Sequence, residues 1–287
     1  MPPQARAVLS TRNTCHRKYP SNSVTDCHFA AFLKRFGGAP FLARSLREKW
    51  GFSSPTPEPH AQPPTRSRYN EAMIHEILPV GPLQCNCSVI GDESTREAMV
   101  IDPGDDIQDI LALVRKHNLQ VKQIVITHAH IDHVGGAMKL RAATGAPIVL
   151  NQNDHDLLKM LDEQAAWVGM PSPGKVDIDG SVSTGDTITA GGLNASILHT
   201  PGHTQGSICL YFPAQKKLIA GDTLFAGSIG RTDLPGGSMQ KILNSLHNTV
   251  LALPDDTVVV PGHGPLTTIG EERESNPFLV KRVRSSS

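Results

Sequence analysis

The chain has 287 residues, 39% of them hydrophobic and 19% charged, a composition that supports a sizeable core. No apolar run approaches the ~20 residues that span a bilayer, and five cysteines, an odd number, argue against a disulfide framework and for a reducing, cytoplasmic setting. The zero net charge hides two unlike parts: residues 1–72 carry 11 Lys and Arg against 4 Asp and Glu, and the remainder carries 16 against 23.

In the basic part, the stretch from Ser53 to Pro64 is so rich in proline, which lacks an amide donor, that helix and sheet are both disfavoured and a flexible linker or tail is expected. Before it, Phe29 to Trp50 has apolar residues near helical spacing, interrupted by Gly37, Gly38 and Pro40. This Arg-rich, acid-poor segment reads either as an organellar transit peptide or as a leader without a function of its own.

From Met73 onward short β-rich runs alternate with helical ones. Strands are expected at Ile74 to Val80, Ser88 to Gly91 and Ala98 to Asp102, followed by a helix near Asp105 to Lys116 whose Ile107, Ile110, Leu111 and Val114 form one apolar stripe. A strand over Val121 to Ile126, a helix from Gly136 to Thr144, a strand at Pro147 to Leu150 and a helix near Asp154 to Trp167 come next, and Pro171 to Gly174 breaks the chain. The later half predicts strands around Thr187, at Ala195 to Leu198, Ser207 to Phe212 and Lys217 to Ala220, a helix near Met239 to Leu251 and a last strand at Thr257 to Val260. Periodicity establishes an α/β layered class and no more. No internal repeat is evident.

Four of these strands end in potential metal ligands. After Val121 to Ile126 the chain reads Thr-His-Ala-His-Ile-Asp-His-Val-Gly-Gly, placing His128, His130, Asp132 and His133 within six positions. His203 follows in Thr200 to His203, Asp222 in Ala220 to Thr223, and His263 in Pro261 to Gly264. Neutral imidazole with carboxylate suits a divalent ion of zinc or iron type, and loops at one rim of a rigid sheet can bring distant residues to a point. Single histidines such as His75, His117, His155 and His247 read as ordinary ones, with His117 near a helix end where it favours the dipole. Gly135 and Gly136 read as glycines that let the backbone approach the metals and open a helix. Cys85 and Cys87 read as small buried side chains rather than a soft-metal pair. No P-loop is present, and no Ser-His-Asp nucleophile arrangement is required.

His128-Ala-His130-Ile-Asp132-His133, with His203, Asp222 and His263 following in that order, resembles the metallo-β-lactamase superfamily over roughly Met73 to the C-terminus. Gly221-Asp222-Thr223-Leu224-Phe225, Gly230-Arg231-Thr232-Asp233, Pro261-Gly262-His263-Gly264-Pro265 and the closing Glu271 to Phe278 are most similar to short bacterial glyoxalase-II-like hydrolases. The resemblance implies a four-layer α/β/β/α sandwich and favours the leader reading of residues 1–72, with the hydrolase domain over 73–287. It also implies two divalent ions, zinc first and iron or manganese as alternatives. His128, His130 and His203 would bind one, Asp132, His133 and His263 the other, and Asp222 would bridge them. Asp132 and Asp222 would then serve catalysis with a bridging hydroxide as nucleophile.

Lactone-cleaving members carry Tyr three positions past the bridging Asp, where this chain has Phe225, and β-lactamases with Cys or Ser at the Asp222 position are excluded. A domain with excess negative charge repels phosphates, so no nucleic-acid partner is expected and no membrane partner either. A small-molecule thioester of hydroxyacylglutathione type is the expected substrate, although the 24 residues after His263 leave no room for the helical domain through which long-form glyoxalase II binds glutathione. A mononuclear iron persulfide dioxygenase is the alternative enzyme, and a metal-stabilised binding protein the alternative from another class. Arg231 reads equally as a holder of a substrate carboxylate or as half of a buried pair with Asp233. The oligomeric state stays open.

Overall fold

The structure, a computed structural model, describes residues 73–280. The extension expected over residues 1–72 and residues 281–287 lie outside the described residues.

Strands β1 (Met73–Val80), β2 (Cys85–Asp92), β3 (Glu97–Ile101), β4 (Gln120–Val125), β5 (Ile148–Leu150) and β6 (Gly180–Ser181) form one six-stranded sheet in that order. Its first three strands are antiparallel and its last four mutually parallel. The second sheet runs β14 (Thr267–Thr268), β13 (Val258–Pro261), β10 (Lys217–Gly221), β9 (Ile208–Phe212), β8 (Leu193–His199) and β7 (Thr187–Ala190). Because β8 and β10 both run antiparallel to β9, and β13 runs parallel to β10, the carboxyl ends of β8, β10 and β13 fall along one edge. A small hairpin pairs β11 (Leu224–Phe225) with β12 (Ser228–Ile229).

Alternation along the strands sorts their side chains into three apolar clusters. Cys85, Cys87, Val89, Ala98 and Val100 pack with Ile107, Ile110 and Val114 of helix α1 (Ile107–Lys116). The intervening Ile90, Met99 and Ile101 meet Ile197, Ile208, Leu210 and Phe212 of the second sheet. On that sheet's far side Cys209, Leu218, Ala220 and Val259 pack with Ile242 and Leu246 of α6 (Met239–Asn248). These are helix–sheet, sheet–sheet and sheet–helix cores, as an α/β/β/α sandwich needs. With both faces covered, β2 is buried at all eight positions and shows no polar alternation. Each fully buried side chain of the size of Phe212 contributes about 1.5–3 kcal/mol by leaving water.

The expected elements from Met73 on, among them helix α3 (Ala137–Thr144), are present with boundary shifts, save one. The helix expected near Asp154 to Trp167 is broken: a 3-10 turn at Gln152–Asp154 leads into α4 (His155–Leu158), and α5 (Leu161–Val168) follows after Met160. The short β6, β11, β12 and β14 and helix α7 (Ile269–Ser275) had no separate expectation. The start of α7 carries a capping box, Thr268 with Glu271, a Thr-x-x-Glu signature readable in the sequence.

Candidate metal centre

The turn after β4 places His128 in bent and His130 in extended backbone, and Asp132 and His133 on the one-turn helix α2 (Ile131–Val134). His203 follows β8, Asp222 directly follows β10, and His263 follows β13. All seven expected ligands therefore converge, four from the first sheet's rim and three from the second's. Two glycines make the approach possible: a Cβ at Gly262 would collide with Asp222 Oδ1, and one at Gly230 with the Asp222 carbonyl. Gly136 opens the helix Ala137–Thr144 as its N-cap, as expected, and the two glycines Gly135 and Gly136 also permit a close backbone approach. They leave space for the Pro103–Gly104 backbone, whose Pro103 carbonyl accepts from the Gly136 amide at 2.9 Å.

The first group is His128, His130 and His203, exposed by 1%, 9% and 2%. His128 Nε2, His130 Nδ1 and His203 Nε2 stand 2.9 to 3.2 Å apart. The outer partners fix which nitrogens carry protons. The Thr127 hydroxyl donates to Asp102 Oδ2 at 2.7 Å and so accepts from His128 Nδ1 at 3.1 Å, while His203 Nδ1 donates to the Arg231 carbonyl at 2.8 Å. With their Nδ1 atoms so engaged, His128 and His203 turn their Nε2 atoms towards each other and towards His130 Nδ1. Protonation of His128 or His130 does not relieve this crowding. Burial, then the charge of His133, pushes His128 well below the ordinary imidazole range, and burial, then His203, brings His130 to about 3. Three imidazole nitrogens converging at this spacing in a buried pocket form a donor set that suits a cation.

The second group is Asp132, His133 and His263. His133 Nδ1 donates to Asp102 Oδ2 at 2.9 Å, and His263 Nδ1 to the Leu83 carbonyl at 3.0 Å. Their Nε2 atoms consequently turn inward. His263 Nε2 lies 3.1 Å from Asp132 Oδ2, and His133 Nε2 is 3.7 Å from that oxygen and has no hydrogen-bond partner. Asp222 faces both groups, with Oδ2 3.5 Å from His203 Nε2 and Oδ1 3.4 Å from His133 Nε2 and 3.8 Å from His263 Nε2. Its Oδ1 is also buried without a hydrogen-bond partner. Burial works against the charge of both carboxylates, but the surrounding histidines, His133 foremost, together outweigh it and both carboxyls stay below their usual range. Orphaned buried polar atoms that face one another across this gap fit divalent cations.

Asp102 is the functional residue that sequence reasoning passed over. It lies 2% exposed just beyond β3, accepts from the Thr127 amide and hydroxyl at 2.7 Å each, and orients His133. In the sequence it shows only as the acid that closes the β-rich run Ala98 to Asp102. Cys85 also touches the site, with Sγ 3.4 Å from His133 Nδ1, but burial pushes its thiol up to about 12 and keeps it neutral. Arg231 forms a two-pronged pair with Asp233 at 2.8 Å for both contacts, and the pair is exposed, not buried.

The family model of the Metallo-beta-lactamase superfamily matches residues 80–263, and the chain belongs to that superfamily. Among its relatives, a protein of Aquifex aeolicus is 44% identical over 72% of this chain and 97% of its own length. The hydroxyacylglutathione hydrolase GloC of Haemophilus influenzae is 40% identical over 71% of this chain and 97% of its own. Of solved structures, the BLEG-1 B3 metallo-beta-lactamase is 37% identical, covering 72% of this chain and 100% of that one with a TM-score of 0.68. TTHA1623 in a di-iron-bound form is 37% identical over 71% of this chain and 100% of that one, with a TM-score of 0.64.

Proposed function

We propose that this protein is a dinuclear metallohydrolase that cleaves a small thioester of the hydroxyacylglutathione type. The observation that carries the reading is the pair of converging ligand groups, with the two oxygens of Asp222 directed one towards each. The 40% identity to GloC supplies the substrate class. His128, His130 and His203 would hold one ion, Asp132, His133 and His263 the other, and Asp222 both. Zinc suits imidazole with carboxylate, and the similarity to a protein in a di-iron-bound form keeps iron beside it, with manganese a third candidate.

Two bound ions lower the pKa of water from 15.7 towards ~7 and polarise a carbonyl. The chain's own residues do the rest. Asp132 and Asp222, held ionised, offset the positive charge gathered there, and Asp102, Leu83 and Arg231 lock three imidazoles with their Nε2 atoms inward through His133, His263 and His203. Hydrolysis adds water across the C–S bond, the oxygen going to the acyl carbon and a proton to the departing thiolate. Arg231 has its Nε and Nη2 engaged by Asp233, so a substrate carboxylate would have to share that pair. We place the activity in the cytoplasm, in keeping with three free buried cysteines among the described residues. Among those residues no helix is long and apolar enough to cross a membrane.

The test is metal analysis of the purified protein together with turnover of S-lactoylglutathione, a β-lactam, and glutathione persulfide followed by oxygen uptake. Near two ions per chain with thioester turnover is expected. Oxygen uptake on one iron per chain, without thioester turnover, establishes the mononuclear dioxygenase instead. β-Lactam turnover alone moves the chain to the activity of its BLEG-1 relative.

A further inference from the structure

His128 and His130 lie on one turn and His203 on another, and a carboxylate from a third segment joins the two. Asp154, 1% exposed, ends the 3-10 turn after β5. Its Oδ2 accepts from the Ala129 amide at 3.0 Å, between His128 and His130, and from the Thr204 hydroxyl at 2.8 Å, beside His203. Its Oδ1 accepts from the Gly206 amide at 2.5 Å. The fit leaves no slack: a Cβ at Gly206 would stand 2.7 Å from the Asp154 carboxyl carbon. Ser207 completes the second turn, its hydroxyl accepting from the Thr204 amide at 3.0 Å.

A local use for this carboxylate exists and is not taken. Asp154 occupies the N-cap of α4, where an aspartate ordinarily accepts from the first amides of the helix, yet its side chain makes no cap hydrogen bond. The acceptor capacity is directed at the two histidine-bearing turns. Gln164 of α5 acts in parallel on the first of them, accepting from the Ile131 amide at 2.9 Å and donating to the Ala129 carbonyl at 3.2 Å.

We propose that Asp154 is a positioning residue that sets the separation between the His128–His130 pair and His203, and so holds the three-imidazole group at the spacing a cation takes. The inference rests on the metal reading of the site. Asp154 contacts none of the imidazoles and acts only through the backbone and Thr204.

The test compares Asp154→Ala, Asp154→Asn and Thr204→Val in the full chain, each freed of metal and titrated with zinc, with kcat and KM measured afterwards. Asp154→Ala should weaken one of the two ions by roughly tenfold to a hundredfold, the scale seen when an outer partner of a metal ligand is lost, and leave the other near its parent affinity. Asp154→Asn turns one acceptor into a donor facing an amide and should weaken the same ion. Thr204→Val removes a single hydroxyl and should do so by only a few-fold. In each, kcat should fall while KM holds. A merely structural role would lower the melting temperature of the metal-free protein and leave both ion affinities and kcat unchanged, and that result overturns the proposal. If Asp154→Ala does not fold, parent affinities in both Asp154→Asn and Thr204→Val overturn it equally. A parent protein that binds neither zinc, iron nor manganese refutes the metal reading itself, whereas two ions bound at parent affinity in the variants refute only the role of Asp154.

Discussion

The two ligand groups lie a few ångströms apart yet differ in character. His128, His130 and His203 are three buried imidazoles with no carboxylate of their own, whereas Asp132, His133 and His263 include an acid and open to solvent through His263, whose side chain is 27% exposed. On the metal reading, an enclosed pocket of imidazoles would hold its occupant by geometry and depend on charge from outside the trio, to which Asp222 comes closest. A charged, open pocket can exchange its occupant and receive a substrate. The contrast suggests that the first group is an anchor and the second a working face, with Asp222 the link that makes them one centre.

The contrast is broken most severely by Asp222→Ala. Without the shared carboxylate two cations at short range repel, so metal content should fall from near two per chain towards one and most activity should disappear. Two ions retained at a near-parent rate would refute the linking role. His263→Ala sharpens the contrast from the open side: a loss of about a hundredfold or more in thioester turnover is expected, as when a preorganised electrostatic element is removed. A mononuclear dioxygenase would lose little, so oxygen uptake that survives this substitution selects the alternative. Asp102→Ala should act more mildly and chiefly on the second group, since it frees His133 Nδ1 directly, reaches His128 only through Thr127, and leaves every ligand in place; roughly tenfold to a hundredfold weaker binding of one ion, with a smaller effect on the other, is expected in a metal titration. Smallest of all is removal of residues 1–72. A protein starting at Met73 should keep its melting temperature and kcat, because a Pro-rich, oppositely charged extension is not expected to add to the core. Loss of soluble folding would show that extension to be structural.

The features legible in the sequence were those written in local spacing. The quartet His128, His130, Asp132 and His133 is compact enough to be read directly, and the stripe Ile107, Ile110 and Val114 announces α1 by its period. His203, Asp222 and His263 were legible as turn residues after β-rich runs, and the family order tied them together. The rest depends on distance in space. Asp102 lies 31 positions before His133 and is not part of the motif, so only packing of β3 beside β4 reveals the pair. The interruption at Met160 was hidden because Leu157 and Leu161 continue the apolar spacing across it. The short β6 and β14 carry two residues each, too few for any period to register.

One property of the strand ends reaches beyond chemistry. His128, His130, Asp132 and His133 belong to the rim of the first sheet, and His203, Asp222 and His263 to that of the second. On the proposed reading each ion would therefore be a staple between the two sheets. Ion binding and sheet apposition then become one equilibrium, so the protein's resistance to unfolding would follow the free metal concentration of its surroundings, by about 2.7 kcal/mol for an ion present at a hundred times its Kd. Metal scarcity would be felt first as a loosened fold and only then as a lost activity.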